Sequence, residues 1–149
     1  MAKEQILKIS EAVAAKFGDQ VLGTQEHAGD HIVLVDRSVI HAVLKYLKSE
    51  HHFIYLSDIV AADRFTEDDR FEVIYNLISL RDQLRFFVKT RCPENDPKLP
   101  TVTDIWHGAN WNEREAYDMF GIEFENHPDP RRIFLPEDFK YHPLRKEFP

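Results

Sequence analysis

The sequence predicts an α+β fold, a two-layer domain with a mixed, largely antiparallel sheet and helices packed on it, plus an extended C-terminal tail. Three observations carry this. Two early segments repeat apolar residues at helical spacing, β-branched and aromatic runs joined by short polar connections fill the middle, and prolines crowd the end. With 149 residues and 43% hydrophobic side chains, the chain has material for one core. The expected division is a globular domain over 1–121 and a proline-rich tail for subunit contacts over 122–149.

Residues 3–17 read as an amphipathic helix, with Ile6, Ile9, Val13 and Phe17 on one face and Gly18-Asp19 as the stop. Val21-Leu22 starts a short strand, and 23–30 reads as a turn or hairpin. His31-Ile-Val-Leu-Val35 is β-branched and apolar, hence a strand. Asp36 or Ser38 can cap a second helix over 38–50, whose buried stripe is Val39, Ile40, Val43, Leu44 and Leu47. Strands are expected over 53–61, 71–80 and 84–91. The connection Arg81-Asp-Gln83 is short enough for a hairpin. The run 71–80 is apolar on both faces, as in an interior strand. A loop over 93–100 follows, then a brief helix capped by Thr101 or Thr103.

The next stretch begins as a helix. Asn112 is a candidate cap, Glu115 three residues on completes a capping box, and Gly121 is a natural left-handed stop. Glu113 and Glu115 are expected in the first turn, where the helix dipole favours anions. Arg114 and Asp118 are four apart and can pair. Beyond Gly121 the chain interleaves Pro128, Pro130, Pro136, Pro143 and Pro149 with Ile133, Phe134, Leu135, Phe139, Tyr141, Leu144 and Phe148. Prolines disfavour regular structure, yet a disordered tail is poor in such apolar residues. The tail is extended and needs burial, on its own domain or on a partner.

Composition excludes several functions. Cys92 is the single cysteine, so the chain can form no internal disulfide and no four-thiolate iron–sulfur site. Net charge is −7, with the acidic excess inside 1–125, which argues against a nucleic-acid partner. The tail is slightly basic through Arg131-Arg132 and Arg145-Lys146, which suits an acidic protein surface or the chain's own carboxylates. No run approaches the ~20 apolar residues that span a bilayer, and the first residues lack an apolar signal segment, so a cytoplasmic location is expected.

Chemistry has one candidate cluster: Glu113, Glu115, Asp118 and His127. Glu115 and Asp118 could share an ion, which would make the chain a metal-dependent hydrolase using Glu115, Asp118 and His127. Carboxylates in a first helical turn are more often caps and dipole partners. His51-His52 closes a helix, and His107 and His142 read as packing residues. No phosphate-binding glycine loop and no Gly-x-Ser-x-Gly occurs.

The motifs Glu113-Arg-Glu-x-x-Asp118-Met-Phe-Gly-Ile, His127-Pro-Asp-x-Arg131-Arg-Ile, Pro136-Glu-Asp-Phe and His142-Pro-Leu-Arg-Lys-Glu-Phe-Pro149 together resemble the 30 kDa subunit family of respiratory complex I, whose bacterial form is the C subunit of NADH-quinone oxidoreductase. The resemblance spans 113–149 and departs from the pattern at Pro130 and Phe134. It implies a subunit of the peripheral arm of a proton-pumping NADH:quinone oxidoreductase, on the cytoplasmic side of the inner membrane. It implies partners in the 49 kDa-type subunit and the adjacent cluster-bearing subunit. It implies no cofactor on this chain, with iron–sulfur clusters and FMN on partner subunits. The expected contact residues are Glu113, Arg114, Glu115, Asp118, His127, Arg131, Arg132, Arg145 and Lys146, with Tyr117, Phe134 and Leu144 as apolar anchors. A homologous subunit of a membrane-bound hydrogenase or of another dehydrogenase fits the same motifs.

Overall fold

The computed structural model describes residues 2–65, 67–128 and 142–145. Helix α1 (Ala2–Phe17) buries Ile9, Ser10 and Val13, and Gly18 ends it at φ +56°. Strand β1 (Val21–His27) turns through Ala28 and Gly29, both at positive φ, into β2 (Asp30–Val35). Such a two-residue turn matches the twist of its strands. Of the turn or hairpin expected over 23–30 the hairpin forms, with β1 running five residues further than Leu22 and the turn confined to 28–29. The reason is position. β1 is a sheet edge and mostly exposed, so its residues need not alternate.

The Asp36 carboxylate accepts from Ser38 N at 2.9 Å and leads through a 3-10 turn into α2 (Ile40–His51). Ile40, Val43, Leu44 and Leu47 are fully buried, and His52 closes the helix in the left-handed conformation. Strands β3 (Tyr55–Asp63), β4 (Phe71–Ser79) and β5 (Leu84–Cys92) follow at the expected places. The sheet order is β1-β2-β5-β4-β3; only the β2–β5 pairing is parallel, so the sheet is mixed and largely antiparallel. β4 is an interior strand as expected, and β5 is the middle one. One face of the sheet meets the helices: Phe71, Val73, Tyr75 and Leu77 of β4 are fully buried with Leu44, Leu47 and Phe53 in a single core. Cys92 ends β5 inside that core, where burial pushes its thiol up to about 11, as suits a small apolar residue.

Three expectations for the later chain are corrected. The loop over 93–100 contains strand β6 (Lys98–Pro100), which pairs in parallel with β7 (Glu123–Glu125). Three residues beside prolines carry no readable period. The segment 101–106 is a turn, not a helix, with Ile105 N and Trp106 N both donating to Val102 O. Helix α3 (Ala109–Phe120) starts earlier than expected, from Gly108 without a side-chain cap, because Ala109 N already donates to Trp106 O. Asn112 therefore lies inside the helix and caps nothing. Gly121 does stop α3, at φ +80°. The body continues past that glycine: Ile122 is fully buried, Phe124 is in the core, and β7 lies within the stretch expected as tail.

Candidate subunit-contact site

Glu113 shares the buried face of α3 with Ala116 and Phe120, three and seven residues on, and so points inward. Its side chain has no exposed surface. Glu113 Oε1 accepts from the Thr101 hydroxyl at 2.6 Å, and Oε2 accepts from Val102 N at 2.8 Å. Thr101 is in turn held by Thr103, and Thr101 N donates to Glu125 O at 2.9 Å. The carboxylate thus ties the middle of α3 to the β6 exit and, through it, to β7. Burial pushes Glu113 from its ordinary 4.5 to about 7, against the two hydrogen bonds that favour the charged form. The nearby fully buried Tyr75 hydroxyl is held well above its ordinary range by burial, then by the charges of Glu113 and Cys92.

His127 closes the same cradle. Its side chain is 4% exposed, with Nε2 3.7 Å from Glu113 Oε1 and donating to Asn110 O at 3.2 Å. Beside it, Lys98, Glu113, Arg114, Tyr117, Phe124 and His127 line an open pocket of about 250 Å3.

Residues 142–145 return to the far end of α3. His142 Nδ1 donates to Asp118 O at 3.1 Å, Leu144 N to Met119 O at 3.0 Å, and Arg145 Nε to Phe120 O at 2.6 Å. These donors satisfy the carbonyls that a helix C-terminus leaves open, and Arg145 also suits the dipole there. The Tyr117 and His142 rings meet edge-on at 5.8 Å. The Arg145 and Arg70 guanidiniums lie over the Phe71 ring, 4.9 and 5.1 Å from its centroid. A Cβ on Gly121 would fall 2.7 Å from both Arg145 Nη2 and His142 Cδ2.

The expected contact residues therefore divide. Glu113 and Asp118 are fully buried, and His127 and Arg145 make hydrogen bonds within the chain. Glu115 and Leu144 are exposed, and Arg114 and Tyr117 are half-buried at the pocket wall. Arg131, Arg132, Phe134 and Lys146 lie outside the described residues. Glu115, Asp118 and His127 do not converge on a common point, and no set of three or more metal-ligating side chains does so among the described residues. Sequence reasoning misses the roles of Thr101 and Val102 towards Glu113; its only trace is Thr101 as a candidate cap. It also misses a partly exposed bridge in which His31 joins Ser10 Oγ at 2.9 Å and Glu26 Oε1 at 2.6 Å. Ser10 sits in mid-helix on α1, so the bridge pins α1 to the β1–β2 hairpin.

These features define a class of protein first: an α+β domain whose motif-bearing helix is locked by its own chain on one side and open on the other. Comparison with known proteins then gives the family. The family described as the 30 Kd subunit of respiratory-chain NADH dehydrogenase matches residues 33–149, and the chain belongs to it. It is 42% identical over 134 residues to the C subunit of NADH-quinone oxidoreductase from Geotalea uraniireducens, covering 90% of this chain and 82% of that one. It is 54% identical over 106 residues to NADH-quinone oxidoreductase subunit 5 of Thermus thermophilus, covering 65% of this chain and 51% of that one. Among solved structures, a trypsin-resistant fragment of Nqo5 superposes with a TM-score of 0.74 at 40% identity, over 87% of this chain and 99% of the fragment. A chain of an archaeal membrane-bound sulfane sulfur reductase gives 0.80 at 25% identity, over 96% and 85%.

Proposed function

We propose that this chain is a structural subunit, bearing no cofactor, of the peripheral arm of a proton-pumping NADH:quinone oxidoreductase. It sits on the cytoplasmic side of the inner membrane, against the 49 kDa-type subunit and the adjacent cluster-bearing subunit. Electrons pass from NADH to quinone through those neighbours, which carry FMN and the iron–sulfur clusters. The observation that supports this best is the family match, which runs unbroken from β2 to residue 149 and so includes the tail as well as the body. Two features of the chain agree. Its single cysteine is a buried, high-pKa thiol, unsuited to cluster ligation. No described helix is long and apolar enough to cross a membrane.

Contacts divide between the open side of α3 (Arg114, Glu115, Tyr117), the exposed Leu144, and the tail residues Arg131, Arg132, Phe134 and Lys146. The likeness to the sulfane sulfur reductase supports a second reading, the equivalent subunit of a respiratory complex with another donor module. Purifying the native complex through a tag on this chain separates the two. An NADH-oxidising flavoprotein among the copurifying chains sustains the first reading, and its consistent absence sustains the second. A cut after Pro128, which spares the buried Ile122 and Phe124, is expected to leave a folded body that no longer joins the complex. Copurification of that shortened chain would place the binding element in the body instead.

A further inference from the structure

The enclosed Glu113 carboxyl belongs to a chain of hydroxyls that leads out of the body. Its Oε1 lies 2.6 Å from the Thr101 hydroxyl, and Thr101 Oγ1 lies 2.9 Å from Thr103 Oγ1. Thr103 N also donates to Thr101 Oγ1, at 3.2 Å. Glu113 has no exposed surface and Thr101 is buried, whereas Thr103 is half-buried. Thr103 lines an open pocket of about 700 Å3 beside the exposed Asp104. The order is thus buried carboxyl, buried hydroxyl, half-buried hydroxyl and solvent.

A hydroxyl has one donor and two acceptor sites, and Thr101 has a neighbour for each. With Glu113 ionised, the Thr101 hydroxyl donates to the carboxylate and accepts from Thr103 Oγ1 and Thr103 N. With Glu113 protonated at Oε1, the carboxyl donates to Thr101 Oγ1, and the Thr101 hydroxyl donates to Thr103 Oγ1 instead. Val102 N donates to Oε2 at 2.8 Å in both states. Neither state leaves a donor of the brace unsatisfied, so α3 stays tied to the β6 exit with or without the proton. Burial brings the carboxyl to about 7, so both states are populated near neutral pH. Tyr75 on β4, Asp104 in the 101–106 turn and His127 are the titratable groups that face it, and Lys98, Arg114, Glu123 and Glu125 line the pocket beside His127. His127 offers the proton no exit. Its Nε2 lies 3.7 Å from Oε1, beyond hydrogen-bond reach, and already donates to Asn110 O.

We propose that Glu113 is a proton-binding site and that Thr101 and Thr103 are its relay to solvent. On release, Glu113 Oε1 gives its proton to Thr101 Oγ1, the Thr101 hydroxyl gives its own to Thr103 Oγ1, and the Thr103 hydroxyl gives its own to a water in the pocket. One O–H bond breaks and one forms at each transfer. The carboxylate keeps the electron pair and the water leaves as hydronium. The hydrogens then stand where the ionised state needs them, with Thr101 donating to Glu113 and Thr103 to Thr101. Uptake is the same sequence reversed. The inference rests on this chain's own geometry and not on the subunit reading above.

The proton is followed through the Glu113 side-chain carboxyl carbon in the full chain made with 13C-labelled glutamate, the signal being assigned by its absence in Glu113→Gln. A titration midpoint of about 7 is expected. Thr101→Val removes a donor to the charged form, so the midpoint rises. Thr103→Val leaves the Thr101 hydroxyl without an acceptor when Glu113 is protonated, so the midpoint falls. Both variants are expected to slow exchange between the two states, read from the line shape, by at least about tenfold. Thr101→Ser keeps the hydroxyl and restores midpoint and rate, and His127→Gln leaves the rate unchanged. Should Thr101→Val fail to fold, Thr103→Val at its half-buried position still decides. An unchanged rate or a raised midpoint in Thr103→Val, or slowed exchange in His127→Gln, would overturn the relay. A Glu113 signal that titrates at its ordinary 4.5 would overturn the site itself.

Discussion

Two acidic residues on the same helix, two positions apart, meet opposite fates. Glu113 is enclosed with both carboxylate oxygens hydrogen-bonded by its own chain, whereas Glu115 stands in solvent. Both belong to the motif that marks the family. One short stretch therefore holds an internal brace beside an exposed carboxylate, and membership in it does not say which residue is which. The difference follows from helix geometry: residues two apart on a helix point to different sides. Glu113, Ala116 and Phe120 recur at helical spacing and share the buried side of α3.

The comparison is tested most severely at Glu113. Glu113→Ala removes two charge-assisted hydrogen bonds and leaves Val102 N as a buried donor without its partner, so about 3–5 kcal/mol of stability is expected to be lost in urea unfolding of the isolated chain. The carboxyl also makes stability depend on pH. The unfolded chain releases this proton near 4.5 and the folded chain near 7, so between those values the folded state holds the extra proton. Stability therefore falls as pH rises across that window and levels off above it, by on the order of 3 kcal/mol from this group. Glu113→Gln keeps the shape, and its amide can donate to Thr101 Oγ1 while its oxygen accepts from Val102 N. The variant is expected to gain on its parent by that amount between pH 5 and 8. Parallel pH profiles for the two would mean that the carboxyl is solvated and ordinary, and the contrast with Glu115 would dissolve.

A smaller effect is expected where α3 ends. Gly121 holds a left-handed φ and its missing Cβ leaves the space that His142 and Arg145 occupy. Gly121→Ala combines backbone strain of about 1–2 kcal/mol with displacement of two flexible side-chain ends. The expected loss is about 2 kcal/mol, with protection of the Leu144 amide, bonded to Met119 O, collapsing in hydrogen exchange. Loss of stability with that amide still protected would show that 142–145 do not depend on the helix stop.

How much of this is legible in the sequence follows the same physics. α1, α2 and β3 to β5 are readable because each buries one stripe or a continuous apolar run against a single core. β1 is only half visible, since an exposed edge imposes no alternation, and β6 and β7 escape because they are three residues each. The inward role of Glu113 is hidden for a different reason. Its partners Thr101 and Val102 lie in an irregular turn that carries no readable period, so nothing in the spacing announces that they meet its carboxylate. Asn112 and Glu115 offer a capping box that the fold does not use. Arg131, Arg132, Phe134 and Lys146 are legible as motif residues, and their contacts lie outside the described residues.

The smallest effect is expected at Glu115, and it is the one that separates brace from surface. Glu115→Ala removes an exposed side chain from a helix and adds the best helix former, so the isolated chain is expected to change by less than about 0.5 kcal/mol. If the open side of α3 meets a partner, retention in the complex should fall by up to about fivefold, more at low salt than at high, as for a charge at an interface rim. The double substitution with Glu113→Gln is then informative. Sites that act through separate surfaces give additive changes in stability and in retention. A coupling larger than about 0.5 kcal/mol in either would mean that the brace and the surface are one device, in which the inner carboxyl sets the position of the helix that the partner touches.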